Sequence, residues 1–283
     1  NLKVRYTTTI MTALGIGLTV AVLLGILALV NGLRTSLEVT GNPRQVLAMR
    51  QGSTSELVSF VTQEQFNTIK FLDGIEQLDG EPMASHEVVS IVALPLRGTT
   101  EDEGNMGNVK IRGLSPMGLR MRDGLELVEG RWFESGKREV VVGQGVHGIR
   151  ANTDIGDKIS FGRGDWEVVG IFNPGRSAYN SEIWTDGNLA TTDLGRGSSR
   201  SSAIIRATDE AAALAISNRI KEDQRLLLEG RLERNYYEEQ MSSAAPIQGL
   251  GIFVAIIMAV GSCFATMNTM YTAVARRARE VGT

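Results

Sequence analysis

Hydrophobic residues are concentrated in two uncharged runs near the ends of the chain, at positions 10–33 and 247–275. A helix over the 24 residues of the first run rises about 36 Å, which is enough to cross a hydrocarbon core of about 30 Å with some tilt. The second run is longer than a buried helix of a soluble protein needs to be. We therefore predict a transmembrane helix over each run.

A cleaved signal peptide is the alternative interpretation of the first run, since Lys3 and Arg5 precede it as a basic region would. The run is longer than the apolar region of a signal peptide, and no small-residue cleavage site closes it before Arg34. This pattern favours a retained helix. Because the sequence opens at Asn1 rather than Met, we also expect that residues precede it.

The charged residues that border the two runs predict their orientation. The arginine-rich segment 276–283 follows the second run directly, whereas the other flank of that run carries Glu238 and Glu239. Basic residues beside a span are retained on the cytoplasmic side. We expect residues 1–9 and 276–283 in the cytoplasm and the intervening residues 34–246 outside it.

Small residues recur every four positions along one face of each predicted transmembrane helix. At this spacing they let two helix backbones approach closely and pack together. The positions are Ala13, Gly17, Ala21 and Gly25 in the first helix and Gly251, Ala255 and Ala259 in the second. We predict that these faces contact other transmembrane helices, so the protein forms oligomers or has further spans.

The polar segment 34–246 alternates between strand-like and helix-like patterns, and eight short runs rich in apolar and β-branched residues predict strands. These runs are 45–50, 86–96, 108–114, 139–142, 158–161, 166–172, 182–185 and 202–207. The turn at 162–165 joins the fifth and sixth runs as a hairpin.

Helices are predicted in the same segment from capping signals. Thr62 and Gln65 have capping-box spacing, with Phe66, Ile69 and Phe71 as the apolar positions of the helix that follows. A second helix starts after an acidic cap at 208–210 and runs to about residue 228.

A polar, helix-compatible stretch from about Arg231 leads into the second apolar run, with Pro246 as a kink. Because a helix that continues into a membrane span is stiff, a movement of its outer end is transmitted into the membrane.

The predicted fold class is a membrane protein with transmembrane α-helices and a large extracytoplasmic α+β domain between helix 1 and helix 2. Within that domain we expect two lobes, formed by about 45–114 with 202–245 and by 115–201. The net charge of -3 offers no basic excess for nucleic acid. The single cysteine, Cys263, lies in the second apolar run, so the central domain forms no disulfide.

One glycine-rich segment has the residue spacing of a dinucleotide-binding motif. The segment 143–148 matches G-x-G-x-x-G after a predicted strand, and Asp165 follows about twenty residues later, as in a dinucleotide-binding fingerprint. A hairpin follows the motif here, whereas the fingerprint requires a long helix and a parallel strand. We interpret the segment as a glycine-rich turn into a short helix.

Other candidate motifs also favour structural roles. His86 and His147 lack a Cys or His partner at metal-ligand spacing, and Arg163-Gly164-Asp165 fits a hairpin tip better than an adhesion site. The sequence contains no phosphate-binding loop of the form G-x-x-x-x-G-K-[ST]. We predict a non-catalytic chain without a catalytic residue, cofactor or metal site of its own.

Three parts of the sequence resemble the MacB/FtsX-type ABC transporter permeases. The segment 12–17 resembles the start of the family's first helix, and 276–282, Arg-Arg-Ala-Arg-Glu-Val-Gly, resembles the R-R-x-R-E-[IV]-G segment after its second helix. Four central segments are similar in order and spacing to the MacB-like periplasmic core domain. These segments are 127–133, 138–143, 156–159 and 166–172.

The resemblance implies a fold of four transmembrane helices in the bacterial inner membrane, of which this sequence holds two. It implies that two permease halves, a second copy or a paralogue, pair over two ABC ATPase subunits, which hold ATP and Mg. A partner subunit or a domain outside this sequence would then hydrolyse the ATP. A periplasmic membrane-fusion protein is a further implied partner.

The implied function is that of the permease subunit, which transmits ATP-driven conformational change to the periplasmic domain for export or extraction of a substrate. The segment that contacts the ATPase would consist of Arg276, Arg277, Arg279, Glu280 and Gly282. The three arginines would look the same if they only held the end of the second helix on the cytoplasmic side of the membrane. Glu280 does not contribute to such anchoring, so it favours contact with a partner.

Two alternatives stay open. A two-helix sensor would carry an extracytoplasmic ligand-binding domain and a signalling output after helix 2, and an FtsX-like relative would regulate cell-wall hydrolases. Two more apolar runs of about twenty residues beyond Thr283 would favour the permease. A kinase or coiled-coil segment there would favour the sensor.

Overall fold

The computed structural model describes residues 41–99, 104–175 and 177–242 continuously, together with scattered helical positions between 10 and 32 and between 249 and 274. The chain divides into two compact units. One contains Asn1–Thr35 with Glu239–Thr283, and the other contains Ser36–Glu238.

The described residues of the second unit form twelve strands. They are β1 (Gln45–Arg50), β2 (Gln77–Leu78), β3 (Glu81–Pro82), β4 (Ala84–Pro95), β5 (Met106–Leu114), β6 (Glu126–Gly130), β7 (Glu139–Gly143), β8 (Lys158–Phe161), β9 (Gly164–Asn173), β10 (Glu182–Asp186), β11 (Ser202–Arg206) and β12 (Leu228–Leu232).

Six helices and two single 3₁₀ turns accompany the strands in the continuously described ranges. The helices are α1 (Gln63–Ile69), α2 (Pro116–Arg120), α3 (Gln144–His147), α4 (Gly187–Asp193), α5 (Glu210–Glu222) and α6 (Glu233–Ser242), and the 3₁₀ turns are Glu56–Val58 and Ala178–Ser181.

Ten strands form one continuous sheet in the order β12-β1-β11-β4-β5-β10-β7-β9-β6, with β8 paired to β9. The 12-residue strand β4 joins its two halves: residues 84–87 pair with β11, and residues 88–95 pair with β5. The β5–β10 and β7–β9 pairs are parallel, and parallel neighbours require a crossover connection. The chain from β7 to β9 passes through α3 and β8, and the chain from β5 to β10 passes through α2 and the strands β6 to β9.

Both faces of the first half of the sheet are covered. Val46 and Ala48 of β1 pack with α1 and α5 in one apolar core, whereas Leu47 and Met49 pack into another core with Tyr236 of α6. Successive side chains of a strand point to opposite faces. Coverage of both faces explains why β1 is apolar at every position from Val46 to Met49.

The second half has its own core around Trp166, which stacks on Phe161 with ring centroids 4.7 Å apart. These two residues come from the β8–β9 hairpin, whose presence and turn confirm the prediction from the sequence. Gly162 at the tip has a φ of +63°, a conformation that glycine adopts without strain.

Most predicted elements of the central domain are confirmed, and the domain is α+β. The capping box is present: Thr62 Oγ1 accepts from the Gln65 backbone N–H at 3.2 Å, and Gln65 Oε1 accepts from the Thr62 N–H at 2.7 Å. Phe71 lies beyond the end of α1 and is 69% exposed, so its assignment to the apolar face of that helix is wrong.

The helix predicted to run to about residue 228 ends at Glu222 instead. Asp223 has a non-helical ψ of 89°, and Leu227 has a φ of +50°, so the chain turns and enters β12 at Leu228. Leu228 is buried in the same core as α5, and β12 pairs with β1. Pairing with β1 therefore outweighs the helical pattern of this segment.

Within the described residues, no helix combines the length and the apolar character that a membrane crossing requires. The two predicted transmembrane helices, 10–33 and 247–275, fall in segments that are described only at scattered positions. They stay predictions, as does the two-lobe division of the central domain.

Candidate coupling site

A fully buried guanidinium lies at the centre of the domain. Arg112 on β5 donates to Glu182 on β10 through Nε–Oε2 at 2.8 Å and Nη2–Oε1 at 3.0 Å. It also donates to Glu56 in the first 3₁₀ turn, through Nη1–Oε1 at 2.8 Å and Nη2–Oε2 at 2.9 Å. Two bidentate pairs on one guanidinium hold three separate segments together.

A third carboxylate links this guanidinium to a second one. Glu87 on β4 accepts from Arg112 Nη1 at 3.0 Å and from Arg122 Nη2 at 2.7 Å, and Arg122 Nη1 donates to its other oxygen at 2.9 Å. We call Arg112, Arg122, Glu56, Glu87 and Glu182 the Arg112 cluster.

The alternation of side chains along the strands explains the position of the Arg112 cluster. Strands β4, β5 and β10 are neighbours in the sheet. Ile111 and Ile183 point into the core around the β8–β9 hairpin. Arg112 and Glu182 are their neighbours along the strands and therefore point to the opposite face.

The Arg112 cluster is satisfied by neutral partners as well as by its own charges. Trp184 Nε1 donates to Glu182 Oε2 at 2.9 Å, and Ser202 Oγ donates to Glu56 Oε1 at 2.7 Å. Lys110, which is two residues before Arg112 on the same face of β5 and is partly exposed, lies 3.4 Å from Glu182 Oε1. Its ammonium brings the number of cations to three, which equals the number of carboxylates.

The electrostatics favour the charged form of every group in this arrangement for which a shift is resolved. Burial alone would raise the pKa of Glu182, but the Arg112 guanidinium and Lys110 hold that pKa at about 2. The pKa of Glu56 is likewise lowered, because Arg112 outweighs the effect of burial. Desolvation opposes the charge on Arg112, yet Glu182 and Glu56 raise its pKa well above the ordinary value.

The first turn of α6 is attached to this site. The Tyr179 hydroxyl donates to Glu233 Oε1 at 2.8 Å, and the Asn42 backbone N–H donates to Glu233 Oε2 at 3.0 Å. The guanidinium of Arg122 lies 5.0 Å from the centroid of the Tyr179 ring. Burial raises the pKa of Glu233, while its two hydrogen bonds and Arg122 partly offset the effect.

Two further side chains of α6 are buried in the domain. The Tyr236 hydroxyl accepts from the backbone N–H of Glu56 at 3.3 Å. Tyr237 packs edge-on against Tyr179, with ring centroids 6.5 Å apart. Together with Glu233, these contacts fix the start of α6 to both the sheet and the Arg112 cluster.

The predicted ATPase-coupling residues fall outside the described residues, as do two of the small residues. These are Arg276, Arg277, Arg279, Glu280 and Gly282, with Gly251 and Ala255.

The other five small residues are described as helical and exposed. They are Ala13, Gly17, Ala21, Gly25 and Ala259. A Cβ built on Gly17 or Gly25 would meet no atom within 4 Å among the described residues. The role of these faces in helix packing stays a prediction.

No pattern in the sequence predicted the Arg112 cluster. Each of its strand members is a charged residue in a predicted strand, with a β-branched apolar residue on one side. Glu87, Arg112 and Glu182 are examples. Charged residues of opposite sign within buried strands were the available signal, because buried charges are almost always paired.

The glycine motif at 143–148 has the structural role that we assigned to it. Gly143 ends β7 and is the N-cap of the four-residue helix α3. A Cβ on Gly143 would lie 2.5 Å from the carbonyl oxygen of Asn180, so the glycine lets the second 3₁₀ turn pack against the strand end. The helix that follows the motif has only four residues, whereas the fingerprint requires a long one, although β9 does pair in parallel with β7 and so supplies the parallel strand that we did not expect.

Comparison with known proteins identifies the fold. The chain resembles the crystal structure of the periplasmic region of MacB from Actinobacillus actinomycetemcomitans, with a TM-score of 0.50 and 13% identity over 72% of this chain and 94% of that chain. It also matches the extracellular domain of the noncanonic ABC-type transporter YknZ from Gram-positive bacteria, with a TM-score of 0.48 and 17% identity over 66% and 99% of the two chains. No curated protein matches the chain.

A family model described as the MacB-like periplasmic core domain matches residues 9–223. This range contains all five residues of the Arg112 cluster and ends shortly before β12. Because the match covers well over half of the 283 residues, the chain belongs to the MacB-like periplasmic core domain family, as the resemblance in its sequence predicted.

Proposed function

We propose that this chain is the permease subunit of a bacterial ABC transporter. In this role it transmits ATP-driven conformational change to the domain at 34–246, for export or extraction of a substrate from the periplasm or the membrane. The observation that carries the proposal is the attachment of α6 to the Arg112 cluster through Tyr179 and Glu233.

A helix attached in this way can transmit a displacement rather than absorb it. Its first turn is hydrogen-bonded to Tyr179 and Asn42, and its tyrosines are buried in the core. Leaving a buried acceptor such as Glu233 without its hydrogen-bond donor costs about 1–3 kcal/mol. A force on α6 is therefore expected to move the helix and the sheet together rather than to detach the helix from the sheet. Along the chain, α6 ends four residues before the predicted span at 247–275.

Exposed apolar side chains support the membrane part of the proposal. Described positions in the two end segments carry large hydrophobic residues that are 53–66% exposed, far more than a water-facing surface favours. Examples are Leu14, Leu18, Leu24, Phe253, Ile256, Ile257, Phe264 and Met267. Lipid, or helices of a second permease copy or paralogue, would cover them.

The proposal assigns partners to the chain ends and to the domain. Arg276, Arg277, Arg279, Glu280 and Gly282 would contact an ABC ATPase subunit in the cytoplasm, and that subunit would hold the ATP and Mg. The chain itself would have no catalytic role. A membrane-fusion protein would bind on the outer side of the inner membrane.

Affinity purification of the full chain from detergent-solubilised membranes tests this function. We expect an ABC ATPase to co-purify with the wild type, and Glu280→Lys combined with Arg279→Glu to lose that ATPase without reducing the amount of chain in the membrane. Arg225→Glu changes an exposed residue of the central domain, far in sequence from residues 279 and 280. This control variant should retain the ATPase.

Other results would favour the two alternatives. An ATPase that co-purifies with a cell-wall hydrolase supports an FtsX-like regulator rather than an exporter. A preparation without any ATPase contradicts the permease and leaves the two-helix sensor as the better interpretation.

A further inference from the structure

A cleft of about 490 Å³ lies on the central domain, away from the first turn of α6. It opens between α1, β3, α2 and α4, and the end of the loop before β11 closes one side. This volume falls within the range of about 300–1,000 Å³ that is typical of small-molecule sites. All of its lining residues belong to the unit Ser36–Glu238.

One part of the cleft is apolar and aromatic. Phe66 lies against the imidazole of His86 with ring centroids 4.7 Å apart, and Phe71 stands at the rim with 69% of its surface exposed. Pro82 and Met117 add apolar surface from β3 and α2. A ligand with an apolar or aromatic body would cover Phe71 and remove this surface from water.

Two cations line the same cleft. Arg200 Nη1 donates to the carbonyl oxygen of His86 at 2.5 Å, and Nη2 donates to Asn188 Oδ1 at 2.6 Å. Lys70 Nζ lies over the rings of Phe71 and Phe66, at 4.9 Å and 5.6 Å from their centroids. These partners are neutral, and neither cation forms an ion pair with a carboxylate in the described part of the chain.

The charge balance of the lining is positive. Glu81 is the carboxylate of the lining, against Lys70 and Arg200. Burial and the nearby Arg200 lower the pKa of His86 to about 4, so its imidazole is neutral at pH 7. Burial also lowers the pKa of Arg200, and the carboxylates of Asp186 and Glu87 offset this effect only in part, so its charge lacks full compensation. An anion placed between the two cations would supply that compensation.

We propose that this cleft binds a small amphipathic anion, namely a carboxylate carried on an apolar or aromatic body. The carboxylate would lie between Lys70 and Arg200, and the body would pack on Phe66 and Phe71. The carboxylate could belong to a free organic acid or to the C-terminus of a peptide that ends in an apolar residue. The inference uses the central domain alone and does not depend on the proposed permease function.

Titration calorimetry on the full chain in lipid nanodiscs tests the proposal, with empty nanodiscs subtracted. The probes are 4-phenylbutyrate and its neutral analogue 4-phenylbutanol, and the peptide Ala-Ala-Phe with a free or an amidated C-terminus. We expect at least one of the two carboxylates to bind about tenfold more tightly than its neutral partner. The tighter of the two identifies the source of the carboxylate.

Variants connect the binding to the cleft. Arg200→Gln and Lys70→Gln should each weaken binding of the carboxylate about tenfold and leave binding of the neutral analogue unchanged. Arg225→Gln and Lys221→Gln remove exposed cations elsewhere and should have no effect. Phe71→Ala should weaken both forms, whereas Phe60→Ala, at another exposed phenylalanine, should not.

Three outcomes would overturn the proposal: no binding of either carboxylate, equal binding of charged and neutral forms, or wild-type affinity in the cleft variants. Because Arg200 also supports the β4 backbone, its variant is compared only if its unfolding temperature matches the wild type. Lys70→Gln removes a half-buried side chain that forms no hydrogen bond to the sheet among the described residues. The Lys70→Gln result therefore tests the proposal even if Arg200→Gln does not fold.

Discussion

The hydroxyl of Tyr179 lies 2.8 Å from Glu233 Oε1, and this hydrogen bond joins the first turn of α6 to the face of the sheet that carries the Arg112 cluster. The two residues are 54 positions apart in sequence. Glu233 also accepts from the backbone of Asn42, at the point where the described chain enters the domain. One carboxylate therefore ties together the entry and the exit of the central domain.

Loss of the Tyr179 hydroxyl should loosen α6 selectively. Tyr179→Phe keeps the ring contacts with Arg122 and Tyr237 but leaves a buried carboxylate oxygen without its donor, which costs about 1–3 kcal/mol. Hydrogen–deuterium exchange should show faster exchange over 233–242 and unchanged exchange in β7 and β9. Tyr271→Phe, at a residue that is 73% exposed, is the control. Uniform loss of protection would contradict a local role.

Arg112 should contribute strongly to the stability of the central domain. Arg112→Gln leaves Glu56 and Glu182 buried without their main cation, so we expect the free energy of unfolding to fall by about 3–5 kcal/mol. Arg219→Gln, which breaks the exposed pair with Asp73, should change it by about 0–1 kcal/mol. Denaturant titration of both variants measures the difference, and similar small effects would refute the structural role of the Arg112 cluster.

His86 should make the domain less stable in mild acid. The pKa of its imidazole is 6.5 in the unfolded chain and about 4 when folded, because burial and Arg200 disfavour the proton. The unfolded state thus binds more protons, and the stabilisation present above pH 6.5 is lost as the pH falls towards 4.

The size of the His86 effect follows from its pKa shift. We expect a loss of about 2–3 kcal/mol by pH 4, relative to a His86→Gln variant measured in parallel. Because the pKa of Glu182 is about 2 in the folded chain, that carboxylate contributes to pH dependence mainly below pH 4.5. Identical pH profiles for the wild type and His86→Gln would show that His86 is protonated without cost.

Two glycines of the motif at 143–148 should respond differently to alanine. A Cβ on Gly143 would lie 2.5 Å from the carbonyl oxygen of Asn180, so Gly143→Ala should destabilise the domain by about 1–3 kcal/mol. A Cβ on Gly148 would have its nearest atom at 3.5 Å, and the φ there is -67°. Gly148→Ala should change stability by less than about 0.5 kcal/mol. Equal effects in a melting experiment would contradict a packing role for Gly143.

Local signals in the sequence were enough to predict most of the sheet and four of the helices, namely α1, α3, α5 and α6. Thr62 and Gln65 form the expected capping box, and the β8–β9 hairpin turns at the expected glycine. In both cases the residues that decide the structure lie within about ten positions of one another. Such local preferences are visible without knowledge of the tertiary fold.

Elements that depend on distant partners could not be predicted in this way. The sequence of β12, Leu-Glu-Gly-Arg-Leu, contains a central Gly230, which packs closely against the carbonyl oxygen of Ser217 on α5. Glycine is a poor strand former in isolation. Only the pairing with β1 and the close approach of the helix explain why a strand forms there.

The Arg112 cluster was missed for the same reason. Arg112 is 56 positions from Glu56 and 70 positions from Glu182, so no local pattern relates them. Each charged residue within a predicted strand was visible on its own. Their pairing became apparent only when the sheet order placed β4, β5 and β10 side by side.

Cysteine labelling in intact spheroplasts tests most directly the claim that the domain projects away from the cytoplasm between two spans. Cys263 is the single cysteine of the sequence, so Cys263→Ala provides a clean background for Glu222→Cys or Arg279→Cys. A membrane-impermeant maleimide should label position 222, on the exposed end of α5, without lysis and position 279 only after lysis. Labelling of position 279 in intact spheroplasts, or protection of position 222 until lysis, would contradict the account.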